Sequence, residues 1–161
     1  MQITSKQYAD YFVIALEIGL SIKEEIINWA DNLILKSFKP PMWMIDLSTS
    51  QKKSILDTIS LLKEVEGHQN LNISFRLAVA KISILYPSID MSNIEMLFDL
   101  YAWYLEHEEV DRDIPIIDSY TLMMIEELYI TIGEINKDDY KNFITIGKGY
   151  IQYLPNNIHD I

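Results

Sequence analysis

Residues that could do chemistry are few in this chain of 161 residues, and none lies in a strong catalytic or metal-binding pattern. The chain has no cysteine and three histidines, His68, His107 and His159. His107 stands in an acidic run, but adjacent residues of a helix point about 100° apart, so they cannot all face one ion. We therefore predict no metal, no cofactor and no catalytic residue, and we expect a protein that is not an enzyme.

Scattered carboxylates keep an enzymatic alternative open. Glu24, Glu25 and Asp31 lie in one predicted helix, and Glu126 and Glu127 lie in another. Together they could resemble the carboxylates of an all-helical, magnesium-dependent nucleotide hydrolase, which needs two inward carboxylates three or four residues apart on each of two facing helices. The spacing does not meet this requirement, and a helix start explains Glu24 and Glu25. A binding protein is favoured, with the hydrolase and a regulatory or structural subunit as alternatives.

The net charge of −11 lies entirely in the second half of the chain. Residues 1–89 carry nine basic and nine acidic side chains, whereas residues 90–161 carry four basic and fifteen acidic ones. This asymmetry creates a one-sided negative field that repels nucleic acid and anionic membranes and attracts cationic partners. We expect a basic protein partner and no nucleic-acid or membrane binding, with the oligomeric state left open.

The densest group of acids lies on a helix predicted from about Ser92 to His107 and in the segment that follows it. The helical period places an apolar core stripe on one side of this helix and a narrow acidic strip on another, with large apolar and aromatic residues between them. Interface centres favour aromatic residues and rims favour complementary charge. A solvated acidic edge that keeps the protein soluble is the alternative. The predicted partner-binding residues are Glu95, Asp99, Trp103, Glu106, Glu108, Glu109, Asp111, Asp113 and Asp118.

Helical periodicity and cap signals predict an all-α, single-domain bundle of about six or seven helices over residues 1–154, with a frayed tail at 155–161. Capping boxes beginning at Thr4, Ser21 and Ser92 mark three helix starts, and Gly19 marks a helix end. Pro40 and Pro41 stop the second helix. Further helices are predicted from Ser50 to about Glu66, from Pro115 to about Ile135, and from Asn136 onward. Another is predicted to begin at Asn70 or Asn72 and to end before Pro87, with Ile73, Leu77, Ala80 and Ile84 on its buried stripe. Residues 148–153 fit no class clearly.

The start of the chain lacks a basic region followed by an apolar stretch, and no uncharged run is long and apolar enough to cross a bilayer. We therefore expect a cytoplasmic protein. Trp29 is predicted to lie in the core, and Trp43 is predicted to seat the proline turn against the bundle.

Residues 15–31 and 40–48 resemble the opening of small, mostly uncharacterised helical bacterial proteins. The shared features are a glycine stop at Gly19, a helix cap at Ser21 and a tryptophan, Trp29, on a core stripe. Some of these small helical bacterial proteins resemble immunity proteins, which are encoded beside secreted toxins. The resemblance covers about the first third of the chain. It implies an immunity-type inhibitor and carries over no catalytic residue. The acidic half of the chain lies outside the resemblance and independently favours an inhibitor that masks a cationic toxin, such as a nuclease domain.

Overall fold

The computed structural model describes residues 2–85, 88–107 and 148–155, and every regular element in these ranges is helical. The α-helices are Ser5–Glu17 (α1), Lys23–Lys36 (α2), Met42–Ser48 (α3), Ile55–Lys63 (α4), Leu71–Leu85 (α5) and Met91–Glu106 (α6), and a short 3₁₀ helix covers Ile151–Tyr153. The all-α prediction is confirmed. The helices predicted from Pro115 and Asn136 and the tail at 156–161 lie outside the described residues, so the single domain and its seventh helix stay predictions. Within the described ranges, no helix is long and apolar enough to span a membrane.

Helix α1 is the centre of the fold. It begins with the predicted capping box, in which Gln7 N donates to Thr4 Oγ1 (3.2 Å) and Thr4 N donates to Gln7 Oε1 (3.1 Å). Eight consecutive residues, from Ala9 to Leu16, are buried, so the helix is enclosed on every side. Helices α4 and α5 pack against it. It ends at Gly19, whose φ of +85° lies in the left-handed region that glycine adopts without strain.

Helix α2 does not start as predicted. Its N-cap is Ile22, which makes no side-chain cap hydrogen bond, so the capping box at Ser21 is wrong. Ile22 is 1% exposed, and burying this side chain in the core sets the position at which the backbone turns into the helix. Trp29 is buried as predicted, and the ring of Trp43 stacks on it with 5.8 Å between the ring centres. Pro41 serves as the N-cap of α3, which then packs against α2.

The helix predicted from Ser50 to Glu66 is shorter in the structure. It forms as α4, which begins after Ser54, because Ser54 Oγ accepts from Asp57 N at 3.1 Å and caps the helix there. Ser50 is instead buried, and its hydroxyl donates to Leu47 O at the end of α3 (2.7 Å). A hydroxyl that serves the preceding helix is not free to cap the next one.

Helix α5 buries more than the predicted stripe. It starts after Asn70, one of the two predicted caps, whose Oδ1 accepts from Ile73 N at 3.4 Å. Leu77 and Ala80 are buried as predicted, but Ile84 is 44% exposed. Ser74 is buried instead, and its hydroxyl donates to Gln7 O of α1 at 2.9 Å. A helix that is covered on several sides cannot be described by one stripe.

Residues 148–153, ambiguous in sequence, contain the 3₁₀ helix Ile151–Tyr153, and this segment packs against α5 and α1. Arg76 Nη1 donates to the Tyr150 hydroxyl at 2.6 Å, and the guanidinium lies 5.3 Å from the centre of the same ring. The Tyr8 hydroxyl donates to Tyr153 O at 2.7 Å, and Leu154 is buried. This segment is therefore held by both side-chain hydrogen bonds and apolar burial.

Gly67 is required where the α4–α5 connection passes α1. Its φ is +138°, and a Cβ at this position would lie 2.8 Å from Lys6 Cβ. We predict that Gly67→Ala lowers the free energy of unfolding by about 1–3 kcal/mol, because the new methyl group meets both backbone strain and a steric clash. Chemical denaturation measures the change. The control Ser60→Ala lies on the exposed side of α4 and is expected to stay within about 0.5 kcal/mol of the parent; equal stabilities for the two variants would contradict the prediction.

Candidate functional site

The candidate site lies on α6, and the start of this helix fixes its position. Asp90 caps α6: Ser92 N donates to Asp90 Oδ1 (3.0 Å) and Asn93 N donates to Asp90 O (3.0 Å). Ser92 therefore lies inside the helix, and the capping box predicted there is wrong. The Asn93 side chain donates to Ile18 O at the end of α1 (2.7 Å). This bond ties the first turn of α6 to the central helix.

The inner side of α6 packs into the core. Its buried side chains are Ile94, Leu97, Phe98 and Tyr101. Phe75 of α5 makes edge-on ring contacts with Tyr101 (5.2 Å) and Tyr104 (5.4 Å). These contacts fix the rotation of α6 about its own axis, and with it the set of residues that face outward.

Four of the nine predicted partner-binding residues lie together on the outer side of α6. Glu95, Asp99, Trp103 and Glu106, here called the acidic face, fall within about 80° of one another around the helix axis. Asp99, Trp103 and Glu106 are exposed, and Glu95 is half-buried. The remaining predicted residues, Glu108, Glu109, Asp111, Asp113 and Asp118, lie outside the described residues.

Trp103 is both exposed and held in place. Half of its surface is exposed, yet its ring stacks on His107 with 3.9 Å between centres, and Tyr104 packs edge-on at 5.2 Å. The His107 Nδ1–H donates a hydrogen bond to Trp103 O at the end of the helix, with 2.8 Å between the two atoms. A large ring that is already ordered loses little conformational freedom when a partner covers it.

Two of the three described carboxylates of the hydrolase alternative are engaged in structural contacts, and the third, Glu24, is exposed. Glu25 forms an ion pair with Lys81, and Asp31 accepts a hydrogen bond from the Ser48 hydroxyl. Glu126 and Glu127 lie outside the described residues. The described part of the chain contains no group of three or more histidine, aspartate or glutamate side chains that could hold a metal.

A second feature was not predicted from the sequence. A cavity of about 430 Å³ lies where α1, the α4–α5 connection and the end of α6 meet, and Asp10 and Trp103 both line it. Asp10 is 4% exposed, and its Oδ1 pairs with Lys6 Nζ at 3.0 Å. Its Oδ2 is buried and has no hydrogen-bond partner among the described residues. The available signal was an ion-pair spacing of four residues at the start of a strongly apolar helix.

No protein-family model, curated protein or solved structure matches this chain. The resemblance of residues 15–31 and 40–48 to immunity-type proteins therefore stays a prediction. What the site does is inferred from its own geometry and charge.

The cap of α6 gives a pH-dependent prediction. The hydrogen bonds from Ser92 lower the pKa of Asp90, so the ionised form stabilises the folded state above the unfolded pKa, and this contribution is lost as the pH falls through the folded pKa. Asp90→Ala is expected to lower the thermal midpoint at pH 7, and the deficit should shrink below about pH 4. Asp90→Asn, which keeps a capping oxygen but does not titrate, is the control. A deficit for Asp90→Ala that grows on acidification would contradict the assignment.

Proposed function

We propose that this chain is a non-catalytic binding protein of the immunity type, which uses the acidic face of α6 to mask a cationic bacterial toxin. The observation that carries the proposal is the position of Trp103, a half-exposed and ordered tryptophan, between Asp99 and Glu106 on one side of one helix. Tryptophan is among the residues that most often dominate binding energy at the centre of an interface.

The charge of the chain supports a basic partner. Asp99 and Glu106 are exposed beside Trp103, and the whole net charge of −11 belongs to residues 90–161. A nuclease binds phosphates through a basic surface, and an acidic protein that occupies this surface prevents substrate binding without doing chemistry. Like charges gathered on one side also speed the encounter with such a surface.

Another exposed apolar surface fits a basic partner less well. Leu35, Phe38 and Met42 are strongly exposed around the α2–α3 connection. Lys36 and Lys39 are exposed within the same segment, and a basic protein surface is repelled by them. The acidic face of α6 is therefore the better contact surface for the proposed partner.

The first test changes the charge of the acidic face. The partner is sought by co-purification from the native host and as the product of a toxin-like reading frame beside the gene. We predict that Asp99→Ser with Glu106→Ser lowers the association rate constant on the order of tenfold at low salt, because two charges that steer the encounter are removed. Stopped-flow measurements between low and high salt check this, and the difference should narrow as salt screens the charges.

The matched control is Glu64→Ser with Glu66→Ser, which removes the same charge from the exposed α4–α5 connection, outside the acidic face. Its association rate is expected to stay close to that of the parent chain. If both double variants behave alike, and both are folded by circular dichroism, the acidic face is only a solvated surface and the proposal fails.

The second test removes the aromatic centre. Trp103→Ala is expected to cost about 2 kcal/mol of binding free energy, mainly as faster dissociation, with the salt dependence of association unchanged. Met96→Ala is the comparison, because Met96 is exposed to a similar degree on the same helix but lies outside the acidic face. Surface plasmon resonance with the partner immobilised separates the two rates. An unchanged dissociation rate for Trp103→Ala would remove Trp103 from the interface.

A further inference from the structure

The connection between α2 and α3 gathers exposed apolar side chains. Four of the nine large apolar side chains that are exposed in the described part of the chain lie within residues 35–45: Leu35, Phe38, Met42 and Ile45. Phe38 is fully exposed, and Leu35 is 83% exposed. Apolar residues that are exposed singly need no explanation, whereas a group of them marks an interaction surface.

The charge of this connection is positive. Lys36 and Lys39 are exposed, and no acidic residue occurs between Asp31 and Asp46. The two lysines and the four apolar side chains are here called the basic patch. A surface that covers the basic patch must therefore present apolar groups together with negative charge.

The basic patch is held in a fixed shape. Ser37 caps the end of α2, where its hydroxyl donates to Leu33 O at 2.7 Å, and Pro41 is the N-cap of α3. The stacked rings of Trp29 and Trp43 join the two helices. A surface that is ordered before contact loses little conformational freedom when it is covered.

The acidic face of α6 has the complementary composition. It presents the half-exposed and ordered Trp103 beside the exposed carboxylates of Asp99 and Glu106. The basic patch and the acidic face are both exposed in the single chain, so neither covers the other within one molecule. A second copy of the chain supplies each surface with its complement.

We propose that this chain associates with itself head to tail, through the basic patch of one copy and the acidic face of the next. Phe38 packs against Trp103, and the two lysines of the patch pair with Asp99 and Glu106. Because the two surfaces differ, each contact leaves one free surface at either end, to which further copies add. Competition between self-association and a cationic toxin rests on the proposed function, but self-association itself does not.

The association is expected to be weak. Partners in a stable complex bury about 800 Å² each, and both surfaces present only a few large side chains. Each copy also carries a net charge of −11. Physiological salt, with a Debye length of about 8 Å, screens the resulting repulsion at long range. We expect a dissociation constant on the order of 0.1 mM under these conditions.

Sedimentation equilibrium of the full chain between about 20 μM and about 1 mM tests the proposal. The average mass should rise with concentration beyond that of a dimer, because a head-to-tail contact does not stop at two copies. A parent chain that stays monomeric at about 1 mM would overturn the proposal.

Variants assign the basic patch. The patch variant removes both lysines and the fully exposed ring: Lys36→Ser, Phe38→Ser and Lys39→Ser. Its self-association is expected to be at least about tenfold weaker than that of the parent chain. The control variant removes the same charge and one exposed apolar side chain around the start of α4: Lys52→Ser, Lys53→Ser and Leu56→Ser. It should associate like the parent chain, and equal losses in the two folded variants would contradict the assignment.

A mixing experiment tests the head-to-tail geometry. The face variant carries Asp99→Ser, Trp103→Ala and Glu106→Ser, and we expect it to be monomeric alone, as the patch variant is. An equimolar mixture of the two variants contains one intact surface of each kind, so it should form a dimer and nothing larger. A mixture that stays monomeric would overturn the proposal.

The outcomes are separable from those of the proposed function and from membrane binding. At micromolar concentrations, where self-association is negligible, the patch variant should bind a basic protein partner as tightly as the parent chain does. Either proposal can therefore fail while the other stands. Co-sedimentation of a monomeric parent chain, but not of the patch variant, with phosphatidylglycerol–phosphatidylcholine vesicles would assign the basic patch to a membrane and overturn self-association.

Discussion

The burial of α1 on every side is the constraint on which the rest of the described structure depends. A helix with apolar groups in all directions needs neighbours in all directions. Helices α4 and α5 pack along it, α2 contributes Trp29, whose ring lies 5.2 Å from that of Phe12, and α6 is tied to its end by the bond from Asn93 to Ile18 O. The outer side of α6, and with it the acidic face, is what remains after these contacts are made.

The same burial determines the protonation and the hydrogen bonding of the polar side chains of α1. Burial raises the pKa of Tyr11 well above its ordinary value, so its hydroxyl stays neutral, and that hydroxyl has no hydrogen-bond partner among the described residues. Asp10 keeps one oxygen without a donor. Buried polar atoms in folded proteins are usually paired, so each of these two unpaired oxygens costs the folded state free energy.

Local signals predicted the structure well where one interaction acted alone. The Thr4 capping box, the glycine end at Gly19 and the stop at Pro40 and Pro41 depend on neighbouring residues only, and all are present. The boxes at Ser21 and Ser92 failed because more than one residue could begin each helix. The start of α2 depended on the burial of Ile22. The start of α6 depended on the Asp90 carboxylate, which caps the helix, and on the bond from Asn93 in its first turn to Ile18 O of α1.

The sequence by itself determined the helical class and the alignment of Glu95, Asp99 and Glu106 along one strip, because the 3.6-residue period relates residues within a single helix. Only the tertiary structure brought Asp10, Lys63 and Trp103 to one cavity. These residues are far apart in the chain, and their meeting depends on how α1, α4 and α6 pack and on the close approach of Gly67 to Lys6. Periodicity carries no information about such contacts, since it describes which side of a helix a residue occupies and not which other helix covers that side.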